Sequence, residues 1–276
     1  WMSEMLVGAA HGTGQALVHK NTIAKPADLV NILTMFRCLP EFGNCFNYVY
    51  DQNASDGLFI FHGFPSQRNR NKDLAHFLFQ NTKASVFVHH YEGIGESLGK
   101  FYFEKSLTTA MKYVEHIRKE FKLKRIHFLG HSWGGFVSLN LLPIFADDLG
   151  SLVLYSPFTQ IPDGKGIDEL ADNLMKEYPH MFFHRDHADV CTEFKTIQNN
   201  FPYVPSLSKT KWQKPTLVLQ AKNDLSTPED KTKSILPLLG PNTHYEELSI
   251  DHSFTQKREQ TFDQTLNFYK RIQLAK

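Results

Sequence analysis

The hexapeptide Gly130-His131-Ser132-Trp133-Gly134-Gly135 constrains this chain more than any other segment. An apolar run, Ile126-His127-Phe128-Leu129, leads into it, and Phe136 to Leu142 reads as a helix after it. Strand, tight glycine turn with a serine at its apex, then helix is a specific local geometry. It holds the serine in a strained backbone conformation, and bulky residues beside it would clash, hence the flanking glycines. The helix that follows aims its N-terminus at the serine, where it can stabilise developing negative charge.

The rest of the chain has the rhythm such a turn needs around it. Phe46 to Tyr50 alternates like a strand, Asp51 to Gly57 is turn chemistry, and Leu58 to Phe61 is a short buried strand ending at His62-Gly63. Residues 71–80 suit a helix and Ser85 to Val88 a strand. Phe103, Leu107, Met111, Val114 and Ile117 fall at helical spacing. Leu152 to Tyr155, Thr216 to Leu219 and His244 to Ile250 read as later strands, and Phe262, Leu266 and Tyr269 mark a closing amphipathic helix. Short strands alternating with helices predict an α/β fold, a mostly parallel sheet covered on both faces.

Two stretches depart from this rhythm. Residues 157–211 contain five prolines, several aromatics and no strand pattern, and they read as a mostly helical insertion over the end of the sheet. Residues 1–43 read as an N-terminal extension, in which Pro26 to Phe36 suits a short helix. Its glycine-rich Gly8 to Gly14 lacks the strand-to-helix surroundings of a nucleotide loop. The expected organisation is therefore an extension at 1–43, a core at 44–156 and 212–276, and a lid at 157–211.

Composition excludes several classes. With 41% hydrophobic and 21% charged residues the chain is globular. A net charge of +1 without a basic stripe argues against nucleic acid as a partner. No apolar run approaches a membrane span, and no secretory signal pattern is present. Three cysteines suit reduced thiols in a cytoplasmic protein rather than a disulfide framework. Oligomeric state is not legible.

A serine hydroxyl needs a base to become a nucleophile, and the base needs a group that fixes its tautomer. In strand–elbow–helix architectures the acid follows the serine in the chain and the histidine comes last. Asp224 follows the strand Thr216 to Leu219, at the sheet end where ligand chemistry gathers, with Asp163 or Asp168 as fallback acids. His252 follows the last strand. Asp251 adjoins it, but neighbouring side chains diverge, so Asp224 is the better orienting acid. An oxyanion hole needs two N–H donors. Trp133, after the serine, and Phe64, in His62-Gly63-Phe64-Pro65 after an early strand, fit.

Phe158, Phe182 and Phe183 are candidate substrate-binding residues, with Tyr178, Phe201 and Tyr203 as further aromatics of the insertion. The bland reading is that at least half of these form the insertion's own core. Neither His89-His90 nor His184-Arg185-Asp186-His187 has a second ligand group at recognisable spacing, so no metal or other cofactor is expected.

Together these motifs resemble the α/β-hydrolase superfamily over about residues 44–272. His62 to Pro65 resembles its oxyanion loop. Tyr91-Glu92-Gly93-Ile94-Gly95-Glu96-Ser97 resembles its D-x-R-G-x-G-x-S loop, with Tyr91 and Glu92 departing from the pattern. The resemblance implies a cap after the sixth strand. Relatives with the same oxyanion loop, epoxide hydrolases and haloalkane dehalogenases, carry aspartate at the elbow. Ser132 therefore implies acyl transfer, as in cap-bearing esterases, thioesterases, monoacylglycerol lipases and serine aminopeptidases. The implied activity is hydrolysis of a carboxylic ester or thioester of a small apolar acyl substrate. A peptidase or amidase, with Glu92 or Glu96 reading a free amine, is one alternative. An acyltransferase or product-releasing cyclase and a non-catalytic small-molecule receptor are the others.

Overall fold

The computed structural model describes residues 36–38, 45–66 and 71–276. Their strands form one sheet, in the order β1-β2-β4-β3-β5-β6-β7-β8. These are Phe36–Cys38, Phe46–Tyr50, Asp56–Phe61, Ser85–His89, Arg125–His131, Leu149–Tyr155, Thr216–Ala221 and Thr243–Leu248, β1 to β8 in chain order. β2 runs antiparallel to β1 and β4, and every other pairing is parallel. Phe36 lies in β1 rather than in the expected helix, whose other residues fall outside the described ones, as does the Gly8 to Gly14 segment.

Helices cover both faces, so the central strands are buried on both sides. Every residue of β4 and β7 is buried. Side chains alternate with period two. Leu58 and Ile60 of β3 enter one apolar layer, while Phe59 and Phe61 enter the other. The first layer is closed by α1 (Lys72–Asn81) and α9 (Arg258–Arg271) through Leu74, Leu78, Phe268 and Tyr269. The second is closed by α2 (Phe103–Glu120) and α3 (Trp133–Leu141). On α2 the buried residues Phe103, Leu107, Val114 and Ile117 repeat at helical spacing. Burying each such side chain contributes about 1.5–3 kcal/mol, more than the propensity differences between ordinary helix residues. The packed face, not propensity, therefore decides this helix. At the sheet's edge β8 carries Glu246 and Glu247, charges that oppose further strand pairing.

Between β6 and β7 the chain makes α4 (Lys165–Glu177), α5 (Pro179–Phe182), α6 (His187–Asn200) and α7 (Tyr203–Thr210). Asp186 and Asp189 form a capping box that starts α6. These helices do not fold on a core of their own. Phe182, Phe194, Tyr203 and Leu207 share the second apolar layer with Trp133 and Phe136. A buried ion pair fastens them further. Arg185 Nη1 donates to Glu193 Oε2 at 2.6 Å, and Glu193 Oε1 accepts from the Glu104 N–H at 3.0 Å. A carboxylate from α6 thus satisfies a donor in the first turn of α2, where the helix dipole favours it. After β7 come α8 (Glu229–Ile235) and a 3-10 helix at Leu236–Leu239.

Candidate active site

The parallel strands all deliver their chemistry at one edge. His62-Gly63-Phe64 follows β3, Ser132 follows β5, Asp224 follows β7 and His252 follows β8. This is the carboxyl edge of the sheet, where ligands bind in open α/β folds.

Ser132 sits at φ 52°, ψ −116°, a left-handed conformation costly for any residue but glycine. The turn survives because its surroundings admit no side chain. A Cβ on Gly134 would lie 2.0 Å from the Phe61 carbonyl oxygen, and one on Gly130 would lie 2.3 Å from that of Gly134. The serine backbone is pinned on both sides. Its N–H donates to the Tyr155 carbonyl at 3.0 Å, and its carbonyl accepts from the Phe158 N–H at 2.9 Å.

The three side chains expected to act together meet. His252 Nδ1 lies 2.6 Å from Asp224 Oδ2, and His252 Nε2 lies 3.1 Å from Ser132 Oγ. With Nδ1–H donated to the carboxylate, the Nε2 lone pair faces the serine hydroxyl. Asp224 is buried and saturated with donors. Oδ1 accepts from the N–H groups of Ser226 and Thr227 at 2.9 and 3.0 Å, and Oδ2 also accepts from Thr227 Oγ1 at 2.9 Å. Burial alone would raise this carboxyl. The hydrogen bond and charge of His252, with the Thr227 donors, outweigh burial and hold it at about 2. Asp251 points elsewhere, accepting from the N–H groups of Thr255 and Gln256 at 3.0 and 2.8 Å.

Two supporting residues escaped the sequence reading. Thr227 bonds Asp224 and lies 3.3 Å from His252 Nδ1. The Asp-Leu-Ser-Thr-Pro turn signals part of this, since aspartate often bonds the N–H two residues on, here that of Ser226, and Thr227 follows directly. His131 Nε2 lies 2.7 Å from the His252 carbonyl oxygen, for which no local signal exists.

Gly63 presses against Ser132: a Cβ there would stand 3.0 Å from Ser132 Cβ and 3.1 Å from His131 Nδ1. Phe64 and Trp133 both line a cavity with Ser132, and the Trp133 indole donates to Ser106 Oγ at 2.8 Å. The loop after β4 is tied to this site, because the Tyr91 hydroxyl donates to the His62 carbonyl at 3.1 Å. Glu92 pairs with Lys105 of α2. A different ion pair thus stands where the sequence departs from the usual loop.

Two cavities meet at Ser132 and His252. One, of about 330 Å³, is walled by Phe64, Phe103, Phe158, Leu170, Leu174 and Phe194, with Asn173 and Glu177 also lining it. The other, of about 440 Å³, is lined by Gly63, Pro65, Gly93, Gly95, His131, His180 and Met181. Of the three candidate substrate residues, Phe158 lines the first cavity. Phe182 is buried beside Phe64 and Phe103 instead, at ring distances of 6.0 and 6.4 Å. Phe183 is 80% exposed. Phe182 ends the one-turn helix α5 and Phe183 continues its helical backbone, so the two point about 100° apart and only one turns inward. Tyr178 borders both cavities, while Leu170 and Leu174 are wall residues the sequence did not single out.

The fold is that of an α/β-hydrolase. The family profile described as serine aminopeptidase, S33 matches residues 52–199, and the chain belongs to that family. A Mycoplasma pneumoniae protein whose name carries the words esterase/lipase is 24% identical over 194 residues, covering 62% of this chain and 72% of that one. The monoglyceride lipase of Mus musculus is 30% identical over 104 residues, covering 36% of this chain and 34% of its own length. The chain thus aligns with about a third of the mouse protein. The monoacylglycerol lipase of Paleococcus ferrophilus superposes with a TM-score of 0.65 at 17% identity, covering 83% of this chain and 99% of that one. That likeness is one of fold. No helix among the described residues is long and apolar enough to cross a membrane.

Proposed function

We propose that this chain is a serine hydrolase that cleaves a carboxylic ester or thioester through an acyl-enzyme. The observation that carries the reading is the unbroken line of hydrogen bonds from Asp224 through His252 to Ser132 Oγ, at 2.6 and 3.1 Å. As Ser132 Oγ bonds to the acyl carbon, His252 Nε2 takes its proton, and Asp224 stabilises the imidazolium. The N–H groups of Phe64 and Trp133 hold the oxyanion. His252 then gives the proton to the leaving alcohol or thiol as its bond to the acyl carbon breaks. Water, deprotonated by His252, attacks the acyl carbon, and Ser132 departs with the proton restored.

The apolar walls of the first cavity suit the acyl chain, and the second suits the leaving group. Residues 157–211 act as the cap on a core of 44–156 and 212–276, with 1–43 an extension. A small apolar acyl substrate fits the lipase names among the relatives, and a cytoplasmic setting fits the sparse cysteines.

A second reading, hydrolysis of aminoacyl amides, is favoured by Glu177, an exposed carboxylate lining the first cavity and able to pair with a free amine. Glu92 and Glu96 are engaged by Lys105 and the Tyr48 hydroxyl away from that cavity, whereas Glu177, bonded by the Tyr178 hydroxyl, lines it. A fluorophosphonate probe tests the nucleophile: wild type is labelled and Ser132→Ala is not. Retained labelling of that variant refutes the assignment. p-Nitrophenyl esters of graded chain length, run beside aminoacyl amides, then decide the substrate. Faster amide turnover that Glu177→Gln abolishes would replace the ester reading by the peptidase one.

A further inference from the structure

The insertion holds a second cluster of chemistry away from Ser132. Asp168 and Asp172 stand four residues apart on α4, and His187 and Cys191 stand four apart on α6. Residues at that spacing share a helix face. Each helix therefore presents one pair, and the pairs meet. Cys191 Sγ lies 3.5 Å from Asp168 Oδ1 and 3.6 and 3.7 Å from His187 Nδ1 and Nε2. His187 Nε2 lies 3.2 Å from Asp172 Oδ1 and 3.3 Å from the Asp168 carbonyl oxygen. Ligand atoms of Asp168, His187 and Cys191 all fall within 4.8 Å of one another.

We propose that Asp168, Asp172, His187 and Cys191 bind a divalent transition metal of the zinc type, clamping α4 to α6. A tetrahedral site with Zn–S bonds of about 2.3 Å and Zn–N or Zn–O bonds of about 2.0–2.2 Å sets its ligand atoms roughly 3.3–3.6 Å apart. The Cys191 Sγ–Asp168 Oδ1 and His187 Nε2–Asp172 Oδ1 separations lie close to that spacing, and a turn of the His187 ring would aim one nitrogen at the same point. The donor set also suits the metal. One thiolate, one imidazole and carboxylates are zinc ligands: Asp168, His187 and Cys191 already converge, and the exposed Asp172, beside His187, completes the set by a side-chain rotation. Cys191 is buried, while Asp172 is exposed, so the sulfur is sheltered and an ion can enter from the Asp172 side.

Before binding, burial, the hydrogen bond to Asp168 and that carboxylate's charge push the Cys191 thiol up. Binding replaces the S–H proton, which leaves to solvent, and Asp168 changes from proton acceptor to ligand. Leu170 and Leu174 lie on the other side of α4, because residues two apart point about 200° apart. They line the cavity beside Ser132. The metal would thus fasten a wall of that cavity without touching the reacting atoms. The sequence alone hides the site, because His184-Arg185-Asp186-His187 invites pairing within one turn, whereas the partners of His187 come from residue 191 and from another helix.

Titration of the chelator-treated full chain with Co²⁺ tests the proposal. One equivalent should produce sulfur-to-cobalt charge-transfer absorption in the near ultraviolet and the visible bands of tetrahedral cobalt, and Zn²⁺ should bleach both. Cys191→Ser should lose the charge-transfer band. His187→Gln and Asp172→Asn should weaken Co²⁺ binding at least tenfold. Circular dichroism reports whether each variant is folded. If Cys191→Ser is not, the exposed Asp172 and half-exposed His187 variants decide by affinity. No saturable absorption in wild type overturns the site. So does unchanged affinity in both of those variants, or a charge-transfer band that survives Cys191→Ser and so arises at Cys38 or Cys45.

Discussion

His131 Nε2 donates to the backbone carbonyl of His252 at 2.7 Å, so the residue beside Ser132 holds the backbone of His252. Their rings lie 5.1 Å apart, and Phe254 packs edge-on against His131 at 5.7 Å. A hydrogen bond of this kind is worth about 1 kcal/mol, here acting on the position of His252. His131→Ala should lower kcat roughly fivefold to tenfold with KM nearly unchanged. His131→Gln, which keeps an N–H donor, should recover most of the loss. Steady-state kinetics on a p-nitrophenyl ester check both; an unchanged kcat in the alanine variant would remove His131 from the site.

Asp224→Asn should reduce kcat by roughly ten-thousandfold, because the amide N–H, donated to Nδ1, favours the wrong imidazole tautomer and no charge remains to stabilise the imidazolium. Thr227→Val should act through the same carboxylate but more weakly. It removes one hydroxyl donor and leaves the two N–H donors to Oδ1. About a tenfold loss in kcat is expected for that variant. Comparing the two by single-turnover acylation separates the acid from its support.

Acid should unfold this protein earlier than carboxylate titration alone would. His89 and His90 are buried, and each is held neutral at about 3, chiefly by burial, with His62 opposing charge on His89 and His89 opposing it on His90. In the unfolded chain both take protons near 6.5. Their contribution is complete above about pH 6.5 and is lost as pH falls toward 3. The loss is on the order of 1 kcal/mol per pH unit for each ring. Urea unfolding from pH 7 to 5 should show this slope, and His90→Phe should shallow it. An unchanged slope would mean the rings are not buried neutral.

Two glycines near Ser132 should fail differently. At Gly134 an added Cβ would meet backbone oxygen at 2.0 Å, so Gly134→Ala should not fold. At Gly63 the added Cβ meets Ser132 Cβ at 3.0 Å, a contact that small shifts relieve. Gly63→Ala should fold, with a thermal midpoint near wild type, yet lose about a hundredfold in kcat, because the loop carrying Phe64 moves off the oxyanion. Thermal melts and ester kinetics on the soluble fractions decide.

Leu174→Trp should shorten the preferred acyl chain. The first cavity holds about 330 Å³, and Leu174 forms part of its wall. Each methylene excluded from an apolar pocket costs about 1–3 kcal/mol. The ratio of kcat/KM for a long over a short p-nitrophenyl ester should therefore fall at least tenfold. An unchanged ratio would send the acyl chain to the second cavity.

Sequence by itself determined what periodicity and chain order encode. The elbow at Gly130 to Gly135 is local, because its glycines answer to clashes within a few residues and with the adjoining strand. The strands from Phe46 to Leu248 were readable because burial on two faces produces short apolar runs. Asp224 and His252 could be picked from many carboxylates and histidines because strand ends in a parallel sheet converge on one edge. Tertiary structure alone decided the rest. Phe182 and Phe183 look equivalent in the sequence, yet one is buried and the other is 80% exposed. Helical spacing names a buried face but not whether that face meets a core or a cavity. His131 reaches a carbonyl 121 residues away, and His187 meets Asp172 across two helices. Such contacts depend on how elements pack, and no local pattern of residues records that distance.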